Sequence, residues 1–298
     1  MSLKIVVLAK QVPDTRNVGK DAMNADGTIN RAALPAIFNP EDLNALEQAL
    51  RLKDTHPGST VTILTMGPGR AAEIIREGLY RGADNGYLLT DRAFAGADTL
   101  ATSYAIATAI RKIGECDLII GGRQAIDGDT AQVGPQVAEK LGLSQITYTE
   151  EILNVDETAR RITVKRHIDG GVENCGRSSA YCTDCERKCS SLPSAQCQIV
   201  TENTNALSAH RKKAAITKDG SELPYAELYE KFPYLNITEW SVADVEGDTK
   251  QCGLSGSPTK VKKIENIVFQ AKESKTMTGS DQDVEGLIVE LLANHTIG

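Results

Sequence analysis

CDLIIGGRQAIDGDTAQVGP, residues 116–135, joins an apolar run to a glycine-rich turn and then to the start of a helix. Similar β-branched or leucine-rich runs occur earlier, at Lys4 to Ala9, Thr60 to Met66 and Asn85 to Thr90. Each ends near a glycine, a proline or a polar residue, and amphipathic stretches separate them. This alternation is typical of a parallel sheet with crossover helices, so the sequence predicts an α/β fold.

Helix signals lie between the predicted strands. Asn39-Pro40-Glu41-Asp42 predicts a helix start, because Asn is a frequent cap, Pro suits the first helical position and acids favour the positive helix end. Further helices are predicted from Gly69 to about Arg81 and from Ala97 to about Lys112. Beyond them, strands at Gln145 to Glu151 and Arg161 to Ile168 indicate a hairpin-like addition to the sheet.

The C-terminal part has a different character. It becomes polar and rich in turns from Ser255, and an amphipathic helix is predicted from about Gln282 to Asn294. We interpret residues 251–298 as an arm that packs on something other than its own domain, which comprises residues 1–250. The alternative is a terminal helix that folds back onto that domain.

The amino-acid composition argues against nucleic-acid binding and against insertion into a membrane. The 298 residues include 33 Lys and Arg against 40 Asp and Glu, so the net charge of −7 provides no basic surface for a nucleic acid. No stretch reads as a signal peptide or a membrane span, which predicts a cytoplasmic protein. Aromatic residues make up 4% of the chain, so backbone and polar contacts would bind most of any cofactor.

Three turns at the carboxyl ends of predicted strands form the candidate site, because ligands bind there in open parallel sheets. They are Ala9 to Thr15, Thr65 to Gly69 and Gly121 to Thr130. In the third turn, glycines would let the backbone approach a pyrophosphate, and the next helix and Arg123 would offer N–H donors. Asp127 and Asp129 would repel phosphate, and would instead cap the helix, orient the loop or accept a ribose hydroxyl. A purely structural turn is the alternative.

The sequence does not support catalysis by side chains. The histidines, which are His56, His167, His210 and His295, lie in separate segments without metal-ligand spacing, and no G-x-S-x-G motif is present. Ala97 to Ser103 opens a predicted helix with a capping pattern, which is either an N-cap without a ligand or a cofactor contact. We assign no catalytic or metal-binding residue, and any redox chemistry would belong to a cofactor.

A series of motifs, in this order, resembles the beta subunit of electron transfer flavoproteins over residues 1–173 and about 230–298. The motifs are KQVPDT (10–15), NP (39–40), MGP (66–68), GADTLATS (96–103), GRQAIDGDTAQVGP (122–135), VKRHIDGGVE (164–173) and GSPTKV (256–261). The resemblance implies a three-layer, doubly wound, mostly parallel sheet of the adenine-nucleotide α-hydrolase-like, Rossmann-like type. It also implies a heterodimer in which the C-terminal arm packs on an alpha subunit.

The resemblance further implies a nucleotide in the crevice, either a structural AMP or, in the electron-bifurcating branch, a second FAD that receives hydride from NADH. The DGDTAQVGP form is similar to the bifurcating branch, so we expect FAD, with AMP as the alternative. Electrons would pass through the alpha-subunit flavin to an acyl-CoA dehydrogenase or a quinone oxidoreductase. The implied contacts are Ala9, Asn39, Met66, Gly122, Arg123, Gln124, Ala125, Asp127, Gly128, Asp129, Thr130, Ala131, Gln132 and Val133.

The resemblance stops after Glu173, where the family continues with an apolar strand. This chain instead has NCGRSSAYCTDC (174–185), the start of an anomalous cysteine-rich segment at residues 174–216. A zinc or iron–sulfur site is one interpretation, with ligands from Cys182, Cys185 and Cys189 together with Cys175 or Cys197. A disulfide cluster is the second.

The third interpretation is a shifted reading frame. Reading the same codons one base later permits T-V-x-x-x-P-P-I-V-L-T-V from position 174, which is the missing apolar strand in register with Glu173. We therefore expect residues 174–216 to be poorly packed and to lack a buried strand and the loop that contacts redox partners. Two other functions stay open, a non-redox regulator that binds AMP or ATP and a Cys-cluster metal-binding protein.

Overall fold

Strands and helices alternate along the chain in the computed structural model, which describes residues 2–14, 35–156, 158–159, 161–178, 181–185, 207–208, 236–259 and 280–293. The strands are β1 (Lys4–Leu8), β2 (Gln11–Pro13), β3 (Ala36–Phe38), β4 (Thr60–Met66), β5 (Asn85–Leu89), β6 (Leu118–Gly122), β7 (Ser144–Asp156), β8 (Arg161–Ile168), β9 (Gly171–Ser178), β10 (Tyr181–Cys185), β11 (Leu207–Ser208) and β12 (Asn236–Trp240). The α-helices are α1 (Pro40–Thr55), α2 (Ala72–Arg81), α3 (Thr99–Ile113), α4 (Val133–Leu141) and α5 (Asp281–Ala293).

Among the described residues, ten strands form one sheet in the order β11-β12-β5-β4-β1-β6-β10-β7-β8-β9. Neighbours from β11 to β7 are parallel, and β7, β8 and β9 are antiparallel. The chain adds β4 and β5 on one side of β1 and then β6 on the other. The sheet is therefore doubly wound, as predicted, and its topological switch point lies between the carboxyl ends of β1 and β6.

Alternate residues of the central strands face two layers of helices. Ile5 and Val7 of β1 lie in one core with α1 and α2, whereas Val6 and Leu8 lie in a second core with α3 and α4. Both faces of the parallel part of the sheet are thus covered, which explains why its strands read as continuous apolar runs.

The segment after Glu173, which we expected to be poorly packed and to lack a buried strand, contains two strands. β9 pairs with β8, and β10 lies between β6 and β7 and pairs with both. Without β10, the backbone N–H and C=O groups of two adjacent strands would face an unpaired gap, which sheet interiors rarely contain. Asn174 and Gly176 are exposed, and the burial of residues 181–185 is not described, so the expectation of poor packing stays a prediction. Residues 186–206 and 209–216, with Cys189 and Cys197, lie outside the described residues.

Residues 1–262 and 263–298 form two compact units. In the second unit, α5 closely matches the predicted helix and exposes a group of apolar side chains, Val284, Leu287, Ile288, Val289 and Leu292. The division into a domain of residues 1–250 and an arm stays a prediction. Within the part of the chain that the structure describes, no helix has the length and apolar character needed to cross a membrane.

Candidate functional site

The start of α1 lies at the topological switch point and is buried there. Asp42 Oδ2 accepts a hydrogen bond from the Lys10 backbone N–H at 2.8 Å, just after β1. Asp42 Oδ1 accepts one from the Gly122 N–H at 3.1 Å, at the end of β6. A single carboxylate therefore joins the carboxyl ends of the two strands where a ligand is expected.

Two further side chains of the same turn hold residues 122–132, which we name the β6–α4 loop. Asn39 Nδ2 donates to the Gln124 carbonyl at 2.9 Å, and Asn39 Oδ1 accepts from the Ile126 N–H at 3.2 Å. Glu41 Oε2 accepts from the Gln124 N–H at 2.9 Å. Asn39 is the N-cap residue of α1, as the sequence indicates, but its side chain makes no cap hydrogen bond. Its amide bonds to the loop instead.

The approach of α1 to β6 requires glycine at position 122. A Cβ atom there would lie 2.4 Å from Asp42 Oδ1 and 2.7 Å from both the Asp42 nitrogen and the Glu41 carbonyl carbon. No side chain fits at these distances. Gly128 differs, because a Cβ at that position would have no neighbouring atom within 4 Å.

The electrostatics of Asp42 follow from its position. Burial raises the pKa of this carboxyl group from 3.8 to about 7, and the charge of Glu41 acts in the same direction. Hydrogen bonds from Asn39, Lys10 and Gly122 lower the pKa but do not outweigh burial. Near pH 7 the group is therefore divided between its charged and its neutral form.

The two acids of the loop have partners that orient it. Asp127 Oδ1 accepts from Lys10 Nζ at 2.7 Å, and Asp129 Oδ1 accepts from Gln124 Nε2 at 3.0 Å. Neither caps α4, whose N-cap residue is Gln132. Of the roles predicted for these two acids, the contacts support loop orientation.

Arg123 contacts the surroundings of α1. Its Nη2 lies 3.6 Å from Glu41 Oε1, and its guanidinium carbon lies 5.5 Å from the centre of the Tyr148 ring. The buried Nε has no hydrogen-bond partner among the described residues. Arg123, which we predicted to donate to a pyrophosphate, thus forms an ion pair with Glu41.

The backbone N–H groups at the start of α4 are candidates for binding an anion. Those of Thr130, Ala131, Gln132 and Val133 donate to no described residue. Asp129 and Ala131 have φ angles of 49° and 51°, in the left-handed region that residues other than glycine rarely adopt. A left-handed residue followed by right-handed Gln132 turns successive N–H groups toward one point, and the start of a helix adds positive potential. This geometry fits a phosphate or a pyrophosphate.

Asp98 is the N-cap of α3, in agreement with the capping pattern of residues 97–103. Its carboxylate accepts from the N–H groups of Leu100 and Ala101 at 3.0 Å each, and from the Thr259 N–H and Oγ1 at 3.1 and 2.7 Å. Desolvation raises the pKa of Asp98, but the hydrogen bonds from Ala101 and Thr259 outweigh it and hold the pKa below its usual 3.8. Next to it, Thr99 Oγ1 donates to Gln132 Oε1 at 2.9 Å and links α3 to the loop.

All residues predicted to contact the cofactor lie at the carboxyl edge of the sheet. Ala9 follows β1, Asn39 precedes α1, Met66 ends β4, and residues 122–133 run from β6 into α4. A pocket of about 230 Å³ lies at the opposite edge, beside Lys4, Thr60 and Asn85, and contains none of them. The sequence analysis did not identify Glu41 and Asp42 as site residues. Acids are common in the first turn of any helix, so their presence there predicts a helix start and not a binding site.

The described residues contain no group of His, Cys, Asp and Glu arranged to hold a metal ion. Cys116, Cys175 and Cys252 have free thiols. The side chains of Cys182, Cys185, Cys189 and Cys197 lie outside the described part of the chain, so the predicted cysteine cluster stays untested.

Comparison with known proteins gives consistent matches. The family described as electron transfer flavoprotein domain matches residues 26–180. Protein FixA of Azorhizobium caulinodans is 44% identical over 297 residues, which cover 97% of this chain and 94% of that protein. Caffeyl-CoA reductase-Etf complex subunit CarD of Acetobacterium woodii is 40% identical over 259 residues, 87% of this chain and 86% of that protein. The electron transfer flavoprotein subunit beta of Clostridium acetobutylicum is 40% identical over 261 residues, 88% and 87% of the two chains.

Proposed function

Since this chain belongs to the electron transfer flavoprotein family, we propose that it serves as the beta subunit of a heterodimeric electron carrier. In this role it binds an adenine nucleotide cofactor at the switch point of its sheet. It then passes electrons to the flavin of an alpha subunit. No side chain of this chain acts as an acid, a base or a nucleophile in that process.

One observation carries the nucleotide assignment. The N–H groups of residues 130–133 have no partner among the described residues and lie at the start of α4, which follows β6. Fixed N–H donors of this kind favour a pyrophosphate, because the helix start supplies positive potential and the peptide groups need no reorganisation. The pairing of Asp127 with Lys10 and of Asp129 with Gln124 directs loop carboxylates into contacts within the protein.

We assign FAD rather than AMP to this site, on the DGDTAQVGP sequence of residues 127–135. When bound, FAD accepts a hydride as two electrons and passes them on singly, which is the chemistry that bifurcation requires. The protein contributes the binding of the pyrophosphate by residues 130–133 and the fixed position of the loop that carries them. NADH is the proposed electron donor.

The alpha subunit is the proposed partner of the C-terminal arm. Helix α5 exposes the apolar side chains of Val284, Leu287, Ile288 and Leu292, whose spacing places them on one helix face, and an apolar helix face of this kind commonly binds another protein. The alpha-subunit flavin would pass electrons to an acyl-CoA dehydrogenase or a quinone oxidoreductase. The proposal places the complex in the cytoplasm.

Co-expression of this chain with its alpha subunit tests the proposal. The purified heterodimer is denatured, and the released FAD and AMP are counted by chromatography. Two FAD per heterodimer are expected. One FAD with one AMP would overturn the FAD assignment, and the absence of an adenine nucleotide beyond a single FAD would overturn nucleotide binding by this chain.

A further inference from the structure

Asp42 occupies an unusual position for an acid. It is buried, it lies behind the β6–α4 loop, and its two oxygens bond to two different strand ends. The two N–H groups that donate hydrogen bonds to Asp42, those of Lys10 and Gly122, are 112 residues apart in the sequence. Because these segments flank the switch point, their separation sets the width of the proposed nucleotide site.

Contacts around Asp42 extend its effect along the loop. Glu41, the preceding residue, accepts from the Gln124 N–H, and Gly122 lies so close to α1 that a Cβ atom there would be 2.7 Å from the Asp42 nitrogen. A hydrogen bond to a charged oxygen is stronger than one to a neutral oxygen, so the ionised form holds the two segments more firmly.

We propose that Asp42 is a positioning residue, which in its ionised form draws the end of β1 and the β6–α4 loop together and thereby raises the affinity of the site for a dinucleotide. This inference rests on the proposed function. Asp42 does not contact the cofactor but acts through Lys10 and Gly122.

A dependence of affinity on pH follows from the proposal. Asp42 has a raised pKa of about 7, so its carboxylate loses charge as the pH falls through neutrality. The charged groups around it are Glu41 on α1, Lys10 after β1, and Arg123 and Asp127 in the loop; Arg123 pairs with Glu41 and Lys10 with Asp127. A purely electrostatic effect would act in the opposite direction, because a negative pyrophosphate binds more tightly beside a neutral Asp42.

The test measures FAD binding to the heterodimer stripped of nucleotide, by calorimetry between pH 6 and pH 8. FAD is a suitable probe because its pyrophosphate stays ionised over this range. We expect the wild-type Kd to rise about fivefold from pH 8 to pH 6. One weakened charge-assisted hydrogen bond, ~1.4 kcal/mol, makes the neutral form bind about tenfold more weakly, and with a pKa of about 7 both forms contribute at each end of this range. Asp42→Asn should have the weak affinity at both pH values.

The matched control is Asp54→Asn, which removes an exposed carboxylate from the same helix and should preserve the wild-type pH profile. A wild-type affinity that is flat or increases toward pH 6 would overturn the inference, and this measurement needs no variant to fold. Equal profiles for wild type and Asp42→Asn would overturn it as well. Absence of FAD binding by the wild-type site at every pH would instead overturn the proposed function.

Discussion

Replacing Gly122 by alanine tests the close packing of α1 on β6. The added Cβ would lie 2.4 Å from Asp42 Oδ1, where ordinary contacts begin at 3.4 Å, so the helix start or the loop must move by about 1 Å. Overpacking of this kind costs about 1–3 kcal/mol. Alanine also lowers the conformational entropy of the unfolded chain, which stabilises the folded state by about 0.4–1 kcal/mol. We therefore expect a net loss of about 1–2 kcal/mol in the free energy of unfolding.

The assay is urea unfolding of the full chain, followed by fluorescence of Trp240. This is the single tryptophan of the sequence, and it is buried and stacked on Tyr87 with ring centres 4.2 Å apart. Gly128→Ala is the control in the same loop, because its Cβ would meet no atom within 4 Å, and it should leave the stability unchanged or slightly higher. Equal stability of Gly122→Ala and wild type, or an equal loss for both variants, would refute the packing argument.

Three further predictions concern stability. Burial raises the pKa of Asp42 from 3.8 to about 7 in the folded state, so its contribution to the free energy of unfolding is largest below pH 4. That contribution declines by about 4 kcal/mol as the pH rises to 7. Asp42→Asn should abolish this decline in urea midpoints measured from pH 4 to 8. Asp98→Ala removes the cap of α3 and the acceptor for Thr259, and thermal unfolding should report a loss of about 1–2 kcal/mol, with Thr259→Val losing less. A variant in which IVLTV replaces YCTDC at residues 181–185 would contain the strand that the shifted frame permits. Since β10 lies inside the sheet, this change should raise the urea midpoint by the equivalent of at least about 2 kcal/mol in the free energy of unfolding. An unchanged midpoint would count against the shifted frame.

The central fold could be predicted because its strands have a strong sequence signal. β1, β4 and β6 are covered by helices on both faces, so they are continuous apolar runs that end in recognisable turns. β12 was missed, because Asn236–Trp240 mixes polar and apolar residues at one side of the sheet. The presence of β10 at YCTDC was also missed, since its pairing depends on the free backbone of β6 and β7 and not on its own residues.

The site was predictable in location but not in its internal contacts. The turns after β1, β4 and β6 must meet at one edge of a parallel sheet, which follows from the order of elements. The roles of Asn39, Glu41 and Asp42 depend on hydrogen bonds to residues 80 or more positions away in the β6–α4 loop. Local patterns cannot reveal such contacts, and these residues read as ordinary signals of a helix start.

Hydrogen exchange at the start of α4 is the most direct measurement of where the nucleotide binds. The heterodimer is compared with and without added FAD, and protection is followed by mass spectrometry over peptides that cover residues 122–141. We predict that FAD slows exchange at residues 130–133 and leaves the pocket around Lys4 and Asn85 unchanged. Protection at that pocket with no change at residues 130–133 would contradict the nucleotide site described for this chain.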